Sequence, residues 1–331
     1  MAQDAPSAWL PGTARDGAGL LHDFAGRDFL KLADFTPEEI GCFVDTAIEL
    51  KSRRATGEVF EPLRGKTFAM IFEKLSTRTR VSFQAGAAQL GAQTFYMSPD
   101  QMQTSRGEPI RDTARIIDRY CEGLFIRTFG QEVVEEFAQY MQNPVINALT
   151  NETHPCQGLC DLMTIKEKKG AYKGLKIGYL GDIWNVCHSL MMGSAMMGMD
   201  FYAAQPNDDY QPNDEQLRVA SQWAALSGSK IVYTKDLEEV ATGADVIYGN
   251  TWHSMATKNP EQRLVDFAPY QVNMRVIDMA KPDVIYMHCL PGKRGEDMVD
   301  EVIESPHCVF WDQGENRMHT EKAVLVLTTP H

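Results

Sequence analysis

Phe68-Ala69-Met70-Ile71-Phe72, followed closely by Ser76-Thr77-Arg78-Thr79-Arg80 and then by the helix-compatible stretch Val81 to Leu90, is the segment whose reading decides the fold. A short apolar run, a polar turn and a helix form the first half of a strand-helix-strand unit. The start of a helix leaves its first backbone N–H groups unpaired at the positive end of the macrodipole, so an anion there is stabilised before any side chain acts. Ser76, Thr77 and Thr79 add hydroxyl donors. Arg78 and Arg80 add guanidinium forks, which can grip two oxygens of one phosphate where a lysine offers a single point charge. A capped helix with two surface arginines is the plain alternative and suits a lone S/T-x-R. Three hydroxyls and two arginines within five residues point instead to an anion site.

Outward from that segment, short apolar runs alternate with amphipathic stretches, the pattern of parallel strands joined by helices. Thr36-Pro37-Glu38-Glu39 opens the first helix with a capping box and a proline at its first position. Strands are expected near 66–72, 94–97, 123–127 and 144–147. A helix from about Cys156 to Lys169 then leads to a second set, at 174–180 and near 200–204, 230–233, 245–249 and 284–287. The fold class is therefore α/β, with two domains, each a mainly parallel sheet flanked by helices. No short repeat and no low-complexity linker separates the halves. Residues 1–28 mix Ala, Gly, Pro and Asp and read as a disordered segment, with Asp4 and Asp16 fitting a transit peptide poorly.

Composition narrows the function less. The 331 residues suit two domains, and 44% hydrophobic residues suffice for two cores. A net charge of -13 argues against nucleic acid as a partner while leaving room for a local basic pocket. Seven cysteines, an odd number, read as reduced thiols in a cytoplasm. No apolar run reaches the roughly 20 residues needed to span a bilayer, so no membrane is expected. His154, Cys156 and Cys160 lie close together, yet no second pair completes a zinc spacing. Neither a metal nor a cofactor is expected.

Ser76 to Arg80, His154-Pro155-Cys156-Gln157 and His288-Cys289-Leu290-Pro291 together resemble three signatures of the aspartate and ornithine carbamoyltransferases, in the right order. Ile126-Arg127-Thr128-Phe129 and Glu315-Asn316-Arg317 are similar to the ornithine branch. The likeness runs from about residue 28 to about residue 328. It implies a carbamoyl phosphate-binding domain at 29–153, an amine-binding domain at 154–316, and a C-terminal helix at 317–331 packing back on the first. It also implies carbamoyl phosphate contacts from Ser76, Thr77, Arg78, Thr79, Gln103, Arg127, His154, Gln157, Cys289, Leu290 and Arg317, with Arg127, His154 and Cys289 as the catalytic set.

Carbamoyl transfer to an amine passes through a tetrahedral centre whose oxygen gains negative charge, so preorganised donors are needed. Arg127, ending an expected strand, and His154, just before a helix, are the candidates. Gln157 is expected to meet the carbamoyl nitrogen through its amide oxygen. A helix-capping role is the plainer reading of His154. On the acceptor side the resemblance implies Asn185, Asn250, Ser254 and Met255. Here the chain departs from the family, with Trp184 in place of the first of two asparagines and Asn250 in place of an aspartate that meets the α-ammonium. That loss removes a charge-assisted contact worth about 1.5 to 3 kcal/mol.

Ornithine, giving citrulline and phosphate, is the favoured acceptor of a two-domain carbamoyltransferase, with another amine such as putrescine or a different diamino acid as the alternative. The chain stops soon after the last expected helix, whereas putrescine enzymes of the family carry a C-terminal helical extension. Two other classes are weighed. Gly178 to Ser189 lacks G-x-G-x-x-G, which disfavours an NAD-binding dehydrogenase. Retention of Arg78, Arg127, His154 and Cys289 disfavours a silent regulatory paralogue. Finally, Gln101 to Gly107 resembles the family loop that reaches a neighbouring subunit's phosphate site, with Gln103 at the contact, which implies a homotrimer with shared active sites.

Overall fold

The computed structural model describes residues 12–74, 76–253 and 259–330, and the chain falls into two units. One holds the residues up to Asn151 together with those from Arg317 on, and the other is Glu152–Asn316.

Unit 1 runs β1 (Thr13–Arg15), β2 (Leu21–Asp23), α1 (Pro37–Ala55), β3 (Thr67–Phe72), α2 (Arg78–Gln89), β4 (Gln93–Met97), α3 (Ile110–Ile117), β5 (Leu124–Arg127), α4 (Gln131–Tyr140) and β6 (Val145–Leu149). Its four-stranded sheet is parallel throughout, in the order β4-β3-β5-β6. Strands covered on both faces read as unbroken apolar runs, and β3, β5 and β6 do so. By contrast, β4 at the edge is partly exposed. The chain winds outward in both directions from the β3/β5 boundary. In an open sheet, ligands collect beyond the carboxyl ends of strands at such a switch point. Thr36 caps α1, its hydroxyl accepting from Glu39 N at 3.2 Å while the Glu39 carboxylate accepts from Thr36 N at 2.9 Å.

The expected disorder at 1–28 is corrected from residue 12 on, and residues 1–11 lie outside the described residues. β1 and β2 pair as an antiparallel hairpin. Gly12 N and Gly26 N donate to the carbonyls of Val326 and Thr328 at 3.0 and 2.8 Å. Phe24 is fully buried, its ring 4.8 Å from that of Phe43. Low-complexity composition hid one aromatic anchor, which is enough to order a short ribbon against an existing core.

Unit 2 runs α5 (Pro155–Lys169), β7 (Lys176–Leu180), α6 (Asn185–Met197), β8 (Asp200–Ala204), α7 (Asp214–Ser227), β9 (Ile231–Thr234), α8 (Leu237–Ala241), β10 (Val246–Gly249), α9 (Pro260–Phe267), α10 (Met274–Met279), β11 (Ile285–His288) and α11 (Asp300–Ile303). Its five strands are parallel in the order β11-β10-β7-β8-β9, so the switch point lies between β7 and β10. The last helix, α12 (Phe310–Thr328), starts in unit 2 and belongs to unit 1 from Arg317 on. Its start at Phe310 corrects the expectation of a helix beginning at Arg317. The strands of both sheets lie within one or two residues of their expected positions.

Candidate active site

Unit 1 gathers cations at the carboxyl ends of β3 and β5. Arg78 and Thr79 open α2, which begins three residues ahead of the apolar pattern that starts at Val81. Thr77, at the N-cap, makes no side-chain capping bond, so the first turn is not closed by its hydroxyl. Thr79 is buried and accepts from Arg317 Nη2 at 3.0 Å. The ladder between β5 and β6 slips between Ile126 and Arg127, an irregularity of the kind that re-aims a side chain beside a site.

The electrostatics of this cluster are those of an anion receptor. Burial, then repulsion from Arg317 and Arg78, pushes the Arg127 guanidinium down to about 10, and its Nε is buried without a hydrogen-bond partner. Desolvated like charges crowded together are costly unless an anion joins them. Lys74, which sequence reasoning missed, adds a fourth cation. Its Nζ donates to Asn151 Oδ1 at 2.6 Å and lies 4.2 Å from the centre of the Phe129 ring. Burial and the nearby Arg127 push it down to about 8 against the pull of Glu73. A lysine just ahead of the Ser76 motif was the available signal. Arg80 corrects an expectation, because its guanidinium lies 3.6 Å from the centre of the Tyr96 ring and serves as a cation-π contact to β4. Gln103 is exposed on a short 3-10 turn, Gln103–Arg106.

In unit 2, His154 occupies the N-cap of α5 ahead of Pro155, yet its side chain makes no capping bond. Its backbone N donates to Ser189 Oγ at 2.8 Å and the residue is buried. Gln157 is buried one turn on, with Nε2 donating to Asp161 Oδ1 at 2.8 Å. Asp161 also accepts from Gln313 Nε2 at 2.6 Å and from Tyr248 Oη at 3.1 Å. That carboxylate fixes which end of the Gln157 amide it holds, and so aims the amide oxygen the other way. The Cys160 thiol donates to the Gln313 carbonyl at 3.0 Å, as a core cysteine. Among the described residues, no group of three or more His, Cys, Asp or Glu side chains could hold a metal ion.

Loops at the β7/β10 switch point and after β11 carry the remaining residues. Gly181, with φ 150°, lets the loop after β7 pass Asn250, since a Cβ there would stand 2.4 Å from the Asn250 carbonyl oxygen. Asn250 Oδ1 accepts from Thr251 N at 2.9 Å and from Cys289 Sγ at 3.0 Å, while Nδ2 donates to Tyr179 Oη at 2.8 Å. Turning the amide over would set its NH2 against the Thr251 N–H, so the orientation is fixed and Cys289 presents its thiol proton to the oxygen. Leu290 holds a left-handed φ of 53°. Its N donates to His288 Nδ1 at 2.8 Å, which leaves His288 Nε2 as the donor to Asp297 Oδ2 at 2.9 Å.

Arg263 on α9 is a further missed residue, donating to Asp182 Oδ1 at 2.5 Å and to the Trp252 carbonyl at 3.1 Å. Burial raises the Asp182 pKa despite that arginine. Asn185 begins α6 with its Oδ1 accepting from Val186 N at 2.8 Å, and Trp184 precedes it at the N-cap. Ser254 and Met255 lie outside the described residues.

Comparison with known proteins also gives two regions, whose bounds differ from those of the two units. Residues 27–167 match the family described as "Aspartate/ornithine carbamoyltransferase, carbamoyl-P binding domain", and residues 173–328 match "Aspartate/ornithine carbamoyltransferase, Asp/Orn binding domain". The ornithine carbamoyltransferase of Oceanobacillus iheyensis is 48% identical over 92% of this chain and 94% of its own length. The anabolic ornithine carbamoyltransferase of Pyrococcus furiosus is 46% identical over 93% of this chain and 98% of its own. A solved structure of the Pyrococcus furiosus enzyme superposes with a TM-score of 0.89 at 46% identity, covering 92% of this chain and 98% of that one. At 28% identity, a mitochondrial ornithine carbamoyltransferase from Coccidioides immitis still gives 0.84, covering 92% and 98%.

Proposed function

The chain belongs to the aspartate/ornithine carbamoyltransferase family, and from that premise we propose how its residues carry the reaction. It transfers the carbamoyl group of carbamoyl phosphate to the side-chain amine of L-ornithine, giving L-citrulline and phosphate. The observation that carries this reading is the cation cluster of unit 1, in which burial and repulsion from Arg317 and Arg78 depress Arg127, with Lys74, Arg78 and Arg127 all inside the stretch that matches the carbamoyl-P binding domain.

In the proposed mechanism the amine nitrogen attacks the carbamoyl carbon, the C–N bond forms, and the carbonyl oxygen becomes an oxyanion. Arg127 and His154 donate to that oxygen. Gln157 orients the carbamoyl nitrogen through its amide oxygen, with Leu290 as a further proposed contact. Ser76, Thr77, Arg78, Thr79 and Arg317 hold the phosphate, whose charge they stabilise as the C–O bond breaks. An alkylammonium, with a reference pKa of about 10.4, must lose a proton before or during attack, and the departing phosphate is the base proposed here. Cys289, Asn185, Asn250, Ser254 and Met255 are placed at the amine, with Asn250 acting through Cys289 because both acceptor positions of its amide oxygen are taken within the protein.

A homotrimer and a cytoplasmic location belong to the same proposal. Supporting assembly, Val81, Phe95, Ile116 and Tyr120 are large apolar residues left exposed in unit 1, where β4 forms the sheet edge. Seven free cysteines support a reducing compartment. No helix among the described residues is long and apolar enough to cross a membrane. Purified protein given carbamoyl phosphate and ornithine should release citrulline and phosphate in equal amounts. Phosphate release without citrulline would contradict the reading.

A further inference from the structure

Unit 1 buries an acid that the mechanism above does not use. Glu321 lies one turn beyond Arg317 on α12 and is fully buried. Its Oε1 accepts from Arg317 Nε at 3.3 Å and from Arg317 Nη2 at 3.0 Å, and the same Nη2 donates to Thr79 Oγ1 at 3.0 Å. The guanidinium is thus turned toward the first residues of α2 by a carboxylate behind it. The other oxygen, Oε2, is buried and has no hydrogen-bond partner.

We propose that Glu321 is a positioning residue for Arg317, holding it against Thr79 in the phosphate-free protein and taking a proton on Oε2 when a phosphate dianion engages that arginine. The proposal rests on the carbamoyl phosphate reading of unit 1. Its chemistry is a competition for one cation. A carboxylate that has Arg317 as its counter-charge tolerates deep burial, and an incoming dianion on the same arginine adds a second negative charge nearby. The proton comes from solvent and no covalent bond to the ligand forms.

Other groups around the pair act in known directions. Burial pushes the Glu321 carboxyl up to about 7, opposed by Arg317 and by the Ser82 hydroxyl of α2. Ser82 Oγ itself donates to the Thr79 carbonyl at 3.1 Å. Arg127 of β5 and Arg317 repel each other, and Arg78 of α2 repels Arg127. Lys322, next on α12, turns to Gln89 Oε1 at 3.4 Å and feels Arg54 of α1. An anion that raises the pKa of Glu321 binds more tightly where that acid is protonated, so part of the phosphate affinity is lost as pH rises past about 7.

The test compares wild type with Glu321→Gln, which keeps a carbonyl oxygen for Arg317 and cannot ionise. Binding of inorganic phosphate is measured by calorimetry at each pH, and the ratio of the two Kd values cancels the titration of the ligand. Wild type over variant should be near one at about pH 6 and climb toward about tenfold at pH 8.5, since one pKa unit of linkage is a factor of ten. Glu321→Leu, which removes the holding oxygen as well, should raise KM for carbamoyl phosphate by about tenfold at every pH while Glu321→Gln does not, as expected when a charge-assisted contact is misaimed. A ratio that stays constant with pH, or a leucine variant equal to the glutamine one, would overturn the proposal. Should neither variant fold, the wild type alone decides it: adding sulfate at pH 7.5 should increase the infrared band of a buried protonated carboxyl, and no increase contradicts the idea. Failure of wild type to bind phosphate at all would instead overturn the site assignment beneath it.

Discussion

Arg127 shows how a single residue is prepared for a proposed role. A ladder slip at the end of β5 and burial beside two other arginines leave its Nε without a partner and its charge under strain. If Arg127 and His154 stabilise the oxyanion, Arg127→Met or His154→Ala should each lower kcat by about 10² or more, the usual loss for one such donor. Phosphate binding, measured separately, should survive the His154 change. A His154→Ala protein with near-normal kcat would remove that residue from the mechanism. At this scale the sequence names candidates where function demands a residue type in a motif, as at Ser76 to Thr79 and His154 to Gln157. It was silent where a side chain acts through a tertiary partner: nothing local marks Asp161 as the hub behind Gln157, Arg263 as the clamp on Asp182, or Glu321 as the counter-charge of Arg317. The ring contact of Arg80 was not legible because its partner, Tyr96, lies on β4 while Arg80 lies on α2.

Elements place these residues through the order of strands. In each sheet the winding reverses beside the first long strand, β3 or β7, and the proposed site residues lie at or beyond the carboxyl ends of strands. Apolar runs with flanking turn residues gave the strands of both sheets, because two-sided burial writes itself into sequence. The hairpin at 13–23 and the early start of α12 were not legible, since each depends on what it packs against. Loop geometry after β7 offers a sharp test. Gly181→Ala would place a methyl group 2.4 Å from the Asn250 carbonyl in a backbone conformation that other residues avoid. The variant should lose about 1 to 3 kcal/mol of stability by denaturant unfolding, the usual cost of overpacking. Displacement of Asn250 should also raise KM for ornithine more than KM for carbamoyl phosphate. An alanine variant with wild-type stability and kinetics would show that this close approach is not required.

For the whole molecule, assembly and acceptor choice each turn on an exposed or loop residue. Gln103 is exposed on a short turn, in the unit whose β4 edge and apolar residues are uncovered. If it reaches a neighbouring subunit's phosphate site, inactive Gln103→Ala and Arg78→Ala proteins should regain part of the wild-type activity once mixed and allowed to exchange subunits. Absence of recovery despite proven exchange would place both defects in one site. Acceptor choice turns on Asn250, whose amide is engaged on both sides by Cys289, Thr251 and Tyr179. Restoring a carboxylate there should leave KM for ornithine unchanged or lower it, because the added charge meets a cation already bound nearby. The most direct measurement is kcat/KM for ornithine, putrescine and shorter and longer diamino acids with saturating carbamoyl phosphate, in wild type and in Asn250→Asp. Ornithine should be the preferred amine of the wild type, with citrulline as product and no loss in the aspartate variant; a wild type that prefers another amine, with ornithine improved only by the Asn250→Asp change, would contradict the account.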